Sequence, residues 1–180
     1  MALNATLHQF GIHLADVDRN VYEELELRVA RHPSETAEYM LTRVLAYCLE
    51  YTEGITFSDG GVSSTDQPPV LVRDLTGRLT DWIDVGAPDA DRIHRASKHA
   101  DRVVIYTHRD PEKVLAALPR KKIHRAETIP VYSFDRETID EAVGSIGRRN
   151  DFSVSRSDGL LYLELNGAAF STPVEEHSLA

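Results

Sequence analysis

Polar and apolar positions alternate with a period of two along some stretches and of three to four along others. That pattern lays out the chain. Phe10, Ile12 and Leu14 alternate with Gln9, Gly11 and His13, and Leu25, Leu27 and Val29 alternate with Glu24, Glu26 and Arg28, as strands with one buried face do. Asp16-Val17-Asp18-Arg19-Asn20 supplies turn chemistry between them, so residues 4–30 are predicted to form a β-hairpin. His8 and His13 fall on opposite faces of the first strand, are not a ligand pair there, and read as surface residues. Arg31-His32-Pro33-Ser34-Glu35 then opens a helix, in which Ala37, Met40, Leu41, Val44, Leu45 and Cys48 make one continuous apolar stripe. Its other side carries Glu35, Glu38, Thr42 and Arg43 and reads as a solvated face.

A short strand at 54–57, a polar loop at 58–67 and the helix- and sheet-averse Pro68-Pro69 come next. Strands at 70–72 and 79–85 flank the turn Asp74-Leu75-Thr76-Gly77. From 79 to 107 the pattern is strand, helix, strand: 79–85 is followed by the N-cap Asp89, a helix at 92–100 and an apolar strand at 102–107. A unit of this length is a βαβ crossover with parallel strands. A further helix starts at Asp110-Pro111, a strand covers 129–134, and another helix 137–146. Asp158-Gly159 joins two closing strands at 152–155 and 160–165. The fold class is therefore α/β, a mixed β-sheet with flanking helices. Residues 1–165 are expected to form one domain, and 166–180, with little pattern, to fray.

Composition narrows the function classes. With 180 residues and a formal net charge of −9, the chain is a poor fit to a sequence-blind duplex binder with a broad basic face. Its one cysteine, Cys48, excludes an internal disulfide and a cysteine-based zinc site, and on the apolar stripe it reads as a small hydrophobe. No apolar run approaches membrane-span length, and a cytoplasmic location is expected. Within the βαβ unit, Asp84 lies near a strand end while Arg95 and Lys98, three residues apart, share one helix face. Such an arrangement suits a small acidic-plus-basic pocket; it equally suits a strand-end carboxylate and a cationic helix face turned to water.

Several blocks resemble the YaeQ family: the opening Met1-Ala2-Leu3-Asn4-Ala5-Thr6, then Ala30-Arg31-His32-Pro33-Ser34-Glu35-Thr36, then Trp82-Ile83-Asp84-Val85-Gly86 with Pro88-Asp89 and Arg92-Ile93. The resemblance implies a compact PD-(D/E)XK nuclease-like core. In that superfamily two strand carboxylates hold a divalent cation, Mg²⁺ or Mn²⁺, and a lysine two residues beyond the second carboxylate offsets developing charge. Carried over, Asp84 takes the second carboxylate position and Gly86 stands where the lysine belongs. The first carboxylate falls on Pro69. The resemblance then requires Asp66, Asp74 or Glu35 to reach in as a substitute metal ligand beside Asp84, Glu35 being the best placed, and implies Arg95 and Lys98 as phosphate-contacting cations and nucleic acid as partner. Three readings stay open: a metal-dependent phosphodiesterase with a degenerate motif, a catalytically inactive module of the same fold that binds nucleic acid, a nucleotide or a protein, and a pocket that is structural polarity with no ligand.

Overall fold

The computed structural model describes residues 4–58 and 66–179. Strands β1 (Thr6–Asp16) and β2 (Val21–Arg31) form the long antiparallel hairpin, in register from Thr6 opposite Arg31 to Asp16 opposite Val21. Alternation puts Phe10, Ile12, Leu14, Leu25, Leu27 and Val29 on its buried face. His8, read as a surface residue, is buried instead, with its Nδ1 2.8 Å from the Gly147 carbonyl oxygen. His13 is exposed beside Glu24. Helix α1 (Ala37–Leu49) begins later than Pro33-Ser34 suggest, because Thr36 is the N-cap: its hydroxyl oxygen accepts from the Tyr39 amide. Glu35 therefore precedes the helix.

The chain continues through β3 (Ile55–Phe57), β4 (Val70–Arg73) and β5 (Leu79–Val85), which pair antiparallel in turn. Helix α2 (Ala90–His99), capped by Asp89, crosses over to β6 (Arg102–Thr107), parallel to β5 as the βαβ pattern requires. Then come α3 (Pro111–Ala116), β7 (Pro130–Ser133), α4 (Arg136–Ala142), and strands β8 (Arg149–Ser157) and β9 (Leu160–Leu165). The segment expected to fray instead forms β10 (Ala168–Pro173) and β11 (Glu175–Ser178). An Asn166-Gly167 turn, with φ 51° and 89°, folds β10 back onto β9, and β11 completes the far edge beside β7.

Among the described residues the strands form two mixed sheets, in the orders β10-β9-β8-β1-β2 and β11-β7-β6-β5-β4-β3. The first is closed across the chain by parallel pairing of β1 with β8. Helix α1 lies between the sheets, packed in one core with Phe10, Phe152 and Leu163 from one and Ile83, Val85 and Val104 from the other. This overturns the solvated face read for α1: Thr42 and Arg43 are as buried as the stripe, because sheet covers the helix on both sides. The other face of the second sheet, with Trp82, Val103, Ile105 and Val131, packs on Ile93 and Ala96 of α2 and Val114 of α3. Two distant arginines satisfy helix ends: Arg19 donates to the Cys48 and Tyr51 carbonyls at the C-terminal end of α1, and Arg125, at φ 54°, donates to those of Ser97, Ala100 and Asp101 at the C-terminal end of α2. Arg19 and Arg156 also enclose the buried carboxylate of Asp16. Among the described residues no helix is long and apolar enough to cross a membrane.

Candidate functional site

Asp84 sits one residue from the end of β5. Strand alternation sends it, with Trp82, toward α2, while Ile83 and Val85 face α1. There it is only 2% exposed. The Trp82 indole N–H donates to its Oδ2 at 2.9 Å, the Arg92 Nε–H to the same oxygen at 2.7 Å, and the Val85 amide to Oδ1 at 3.0 Å. Arg92 stands in the first turn of α2, its guanidinium 5.2 Å from the Trp82 ring centre, and it donates to the Gln67 carbonyl at 2.9 Å. One side chain thus ties β5, α2 and the segment entering β4 together. Neither Trp82 nor Arg92 stands out in the sequence as a site residue, yet Trp82 is at i−2, the same strand face as Asp84.

Glu35 has its own arginine. Arg43 donates to Oε2 from Nε at 3.0 Å and to Oε1 from a terminal nitrogen at 3.1 Å, and the His32 amide also donates to Oε1. Arg43 further donates to the Ala30 carbonyl and lies 5.1 Å from the Phe57 ring centre. Burial raises the Glu35 carboxyl above its usual range and outweighs the opposing pull of Arg43. Between the two ion pairs lies Tyr39, whose hydroxyl is pushed up by burial and then by the Asp84 charge. The Tyr39 ring backs against Gly86. At φ +88° a side chain there would be strained, and its Cβ would meet the ring at 3.3 Å. That is a physical reason why no lysine occupies this position.

The remaining candidates lie apart from this cluster. Arg95 and Lys98 are both exposed. Asp84 is bound by the first turn of α2, whereas Lys98 is six residues further on, about 9 Å along the axis. Lys98 borders a shallow concavity with Arg78, Asp101 and Arg125 at the far end of the helix. Pro69 is buried just before β4, its carbonyl accepting from the Ser58 amide. Most of the polar loop read at 58–67 lies outside the described residues. A divalent cation needs several carboxylate or carbonyl oxygens with lone pairs turned to one point. Asp84 and Glu35 instead spend both oxygens on arginine and N–H donors. Among the described residues no group of three or more His, Cys, Asp or Glu side chains is placed to hold a metal ion. Among the described residues the donor set does not fit Mg²⁺ or Mn²⁺.

The second sheet has another polar centre, at the carboxyl ends of its parallel strands, where open α/β sheets commonly take ligands. A cavity of about 560 Å³ there is bordered by His108 just past β6, by Arg109 and Lys113, by Glu38 of α1, and by Arg136 and Asp140 of α4. His108 is buried, its Nδ1 3.2 Å from the Thr42 hydroxyl. That hydroxyl donates its proton to the Glu38 carbonyl at 2.8 Å. Its oxygen is left to accept, so neutral His108 carries its proton on Nδ1 and keeps Nε2 as an acceptor. Burial, then the Arg109 charge, lowers the His108 pKa and favours this neutral form. In the sequence, His108-Arg109-Asp110-Pro111 reads only as a helix start. The signal available was position: a histidine immediately after the second strand of a βαβ unit.

The sequence model of the family described as "YaeQ protein" matches residues 1–174. The chain is 29% identical over 181 residues to an uncharacterized protein YaeQ of Escherichia coli (strain K12), covering 96% of this chain and 99% of that one. It superimposes on the crystal structure of YaeQ protein from Pseudomonas syringae with a TM-score of 0.89 at 27% identity, covering 97% of this chain and 96% of that one. Against the crystal structure of YaeQ protein from Xanthomonas axonopodis pv. citri the TM-score is 0.87 at 26% identity, with 98% and 99% covered.

Proposed function

The chain belongs to the YaeQ family, and from that premise we propose that it is a binding protein on a nuclease-like scaffold, its inherited carboxylates turned to structural use. The observation that carries the reading is the ring of donors around Asp84: the Trp82 indole, the Val85 amide and Arg92. A catalytic cation would have to displace a guanidinium from a buried carboxylate, leaving that arginine without its anion. Glu35, closed by Arg43, offers no compensation.

The test sets wild type beside Asp84→Asn. Both are titrated with Mn²⁺ by calorimetry and assayed on single-stranded and duplex DNA and RNA, with Mg²⁺, with Mn²⁺ and with chelator. The expected result is no saturable metal binding, no metal-dependent cleavage, and a less stable variant. Metal-dependent cleavage by wild type, lost in a variant that is still folded at the assay temperature, would return Asp84 and Glu35 to a metal site with Arg95 and Lys98 on phosphate.

A further inference from the structure

The cavity at His108 is bordered by Arg109, Lys113 and Arg136 on one side of the ledger of charge and by Glu38, Asp110 and Asp140 on the other. Among the described residues none of these six comes within the 4.0 Å of an opposite charge that defines an ion pair. Asp110 is engaged as the cap of α3, where it accepts from the Glu112 amide. Glu38 and Asp140 are left bordering the cavity, and His108, which borders it too, adds an acceptor nitrogen. A pure anion entering this space gains from the cations what it loses to the carboxylates, and a pure cation fares the same way. Only a molecule carrying both charges gains from both sets.

A second cavity of about 380 Å³ adjoins the first and shares Arg109, Asp110 and Arg136 with it. Pro111, Phe134 and Pro173 border that space, so it is the more apolar of the two. The first volume is of the size that small-molecule sites commonly have. We propose that this paired groove binds a free α-amino acid with an apolar side chain. The carboxylate lies between Arg109 and Arg136, the ammonium is received by Glu38, Asp140 and His108 Nε2, and the side chain runs along Pro111, Phe134 and Pro173. The proposal rests on the binding-protein reading and gives it a ligand class, at a site apart from Asp84.

The test is a metal-free titration of full-length wild type, followed by the ring resonances of His108 in NMR, with L-leucine, L-methionine, L-phenylalanine and L-tryptophan in turn. The tightest of these is then compared with its N-acetyl form, which keeps only the carboxylate, with its amide, which keeps only the ammonium, and with inorganic phosphate. The expected result is saturable binding of the amino acid and at least roughly tenfold weaker binding of each single-charge form, the cost of one lost charged hydrogen bond. Arg136→Gln and Asp140→Asn, both at exposed positions, should each weaken the amino acid about tenfold with the melting temperature unchanged. Asp140→Asn should also narrow the gap between the amino acid and its N-acetyl form, which a purely structural role would not do. No saturable shift with any of the four, an N-acetyl form as tight as its parent, or phosphate tighter than the best amino acid overturns the proposal. None of these outcomes bears on metal binding or cleavage, so the two readings fail separately.

Discussion

Replacing Asp84 by asparagine keeps the shape of the side chain and removes its charge. In the native protein the carboxylate receives three N–H donors, from Trp82 at 2.9 Å, Val85 at 3.0 Å and Arg92 at 2.7 Å. Asparagine has one acceptor oxygen, and its amide group would point N–H either at the Val85 amide or at Trp82 and Arg92 together. Removing one member of a buried ion pair typically costs about 3–5 kcal/mol. Arg92 is 18% exposed along its side chain and keeps its contact with the Trp82 ring and the Gln67 carbonyl. Those remaining contacts favour the lower end, about 3 kcal/mol, or a fall in Tm of about 6–12 °C for a chain of this size. Urea and thermal unfolding of the purified variant measure it. Arg92→Met in the Asp84→Asn background should recover part of the loss, with a coupling of about 1 kcal/mol or more between the positions. Lys98→Gln, which changes charge on the exposed face of α2, should stay within about 0.5 kcal/mol of wild type. If Asp84→Asn melts within about 1 °C of wild type, or if the double variant is simply additive, the clamp has no structural weight and the reasoning fails.

Gly86→Ala should destabilise by about 1–3 kcal/mol, since a residue with a Cβ is strained at its φ of +88° and meets the Tyr39 ring; an unchanged urea midpoint would refute that account. Asp16 sets an acid limit. Burial works to raise its carboxyl, but the hydrogen bonds and charges of Arg156 and Arg19 together hold it below its ordinary 3.8. Its contribution is thus present above that ordinary value and lost as the pH falls through the lower native one. Stability measured in urea between about pH 5 and 2 should fall more steeply for wild type than for Asp16→Asn, and parallel profiles would contradict it.

What the sequence made legible was whatever is decided locally. Alternation in 9–14 and 24–29 places both hairpin strands, and the apolar run at 102–107 after a capped helix places the βαβ unit. Asp158-Gly159 is the turn it looks like, with φ 52° and 72°. Asn166-Gly167 carries the same chemistry, but the residues after it, Ala168 to Pro173, alternate too weakly in hydrophobicity to read as a strand. Partner choice at the candidate site was beyond local pattern. Arg43 reads as a solvated arginine until α1 is known to lie between two sheets, and one of those sheets depends on β1 meeting β8 from the other end of the chain. Arg92 likewise becomes the partner of Asp84 only once α2 has docked its first turn against β5.

The parallel union of β1 with β8 has a consequence for how the protein is made. Asp16 and Arg156, joined across those strands, are 140 residues apart. At ordinary rates of translation the ribosome takes on the order of ten seconds to cover that distance. Throughout that interval the amino-terminal hairpin has emerged with the edge of β1 that β8 will take unclaimed, the condition in which nascent strands pair with the wrong neighbours. The first sheet cannot form piece by piece as the chain leaves the tunnel; it waits for its eighth strand, so nascent chains stalled before residue 149 should depend on holdase chaperones in a way the finished protein does not.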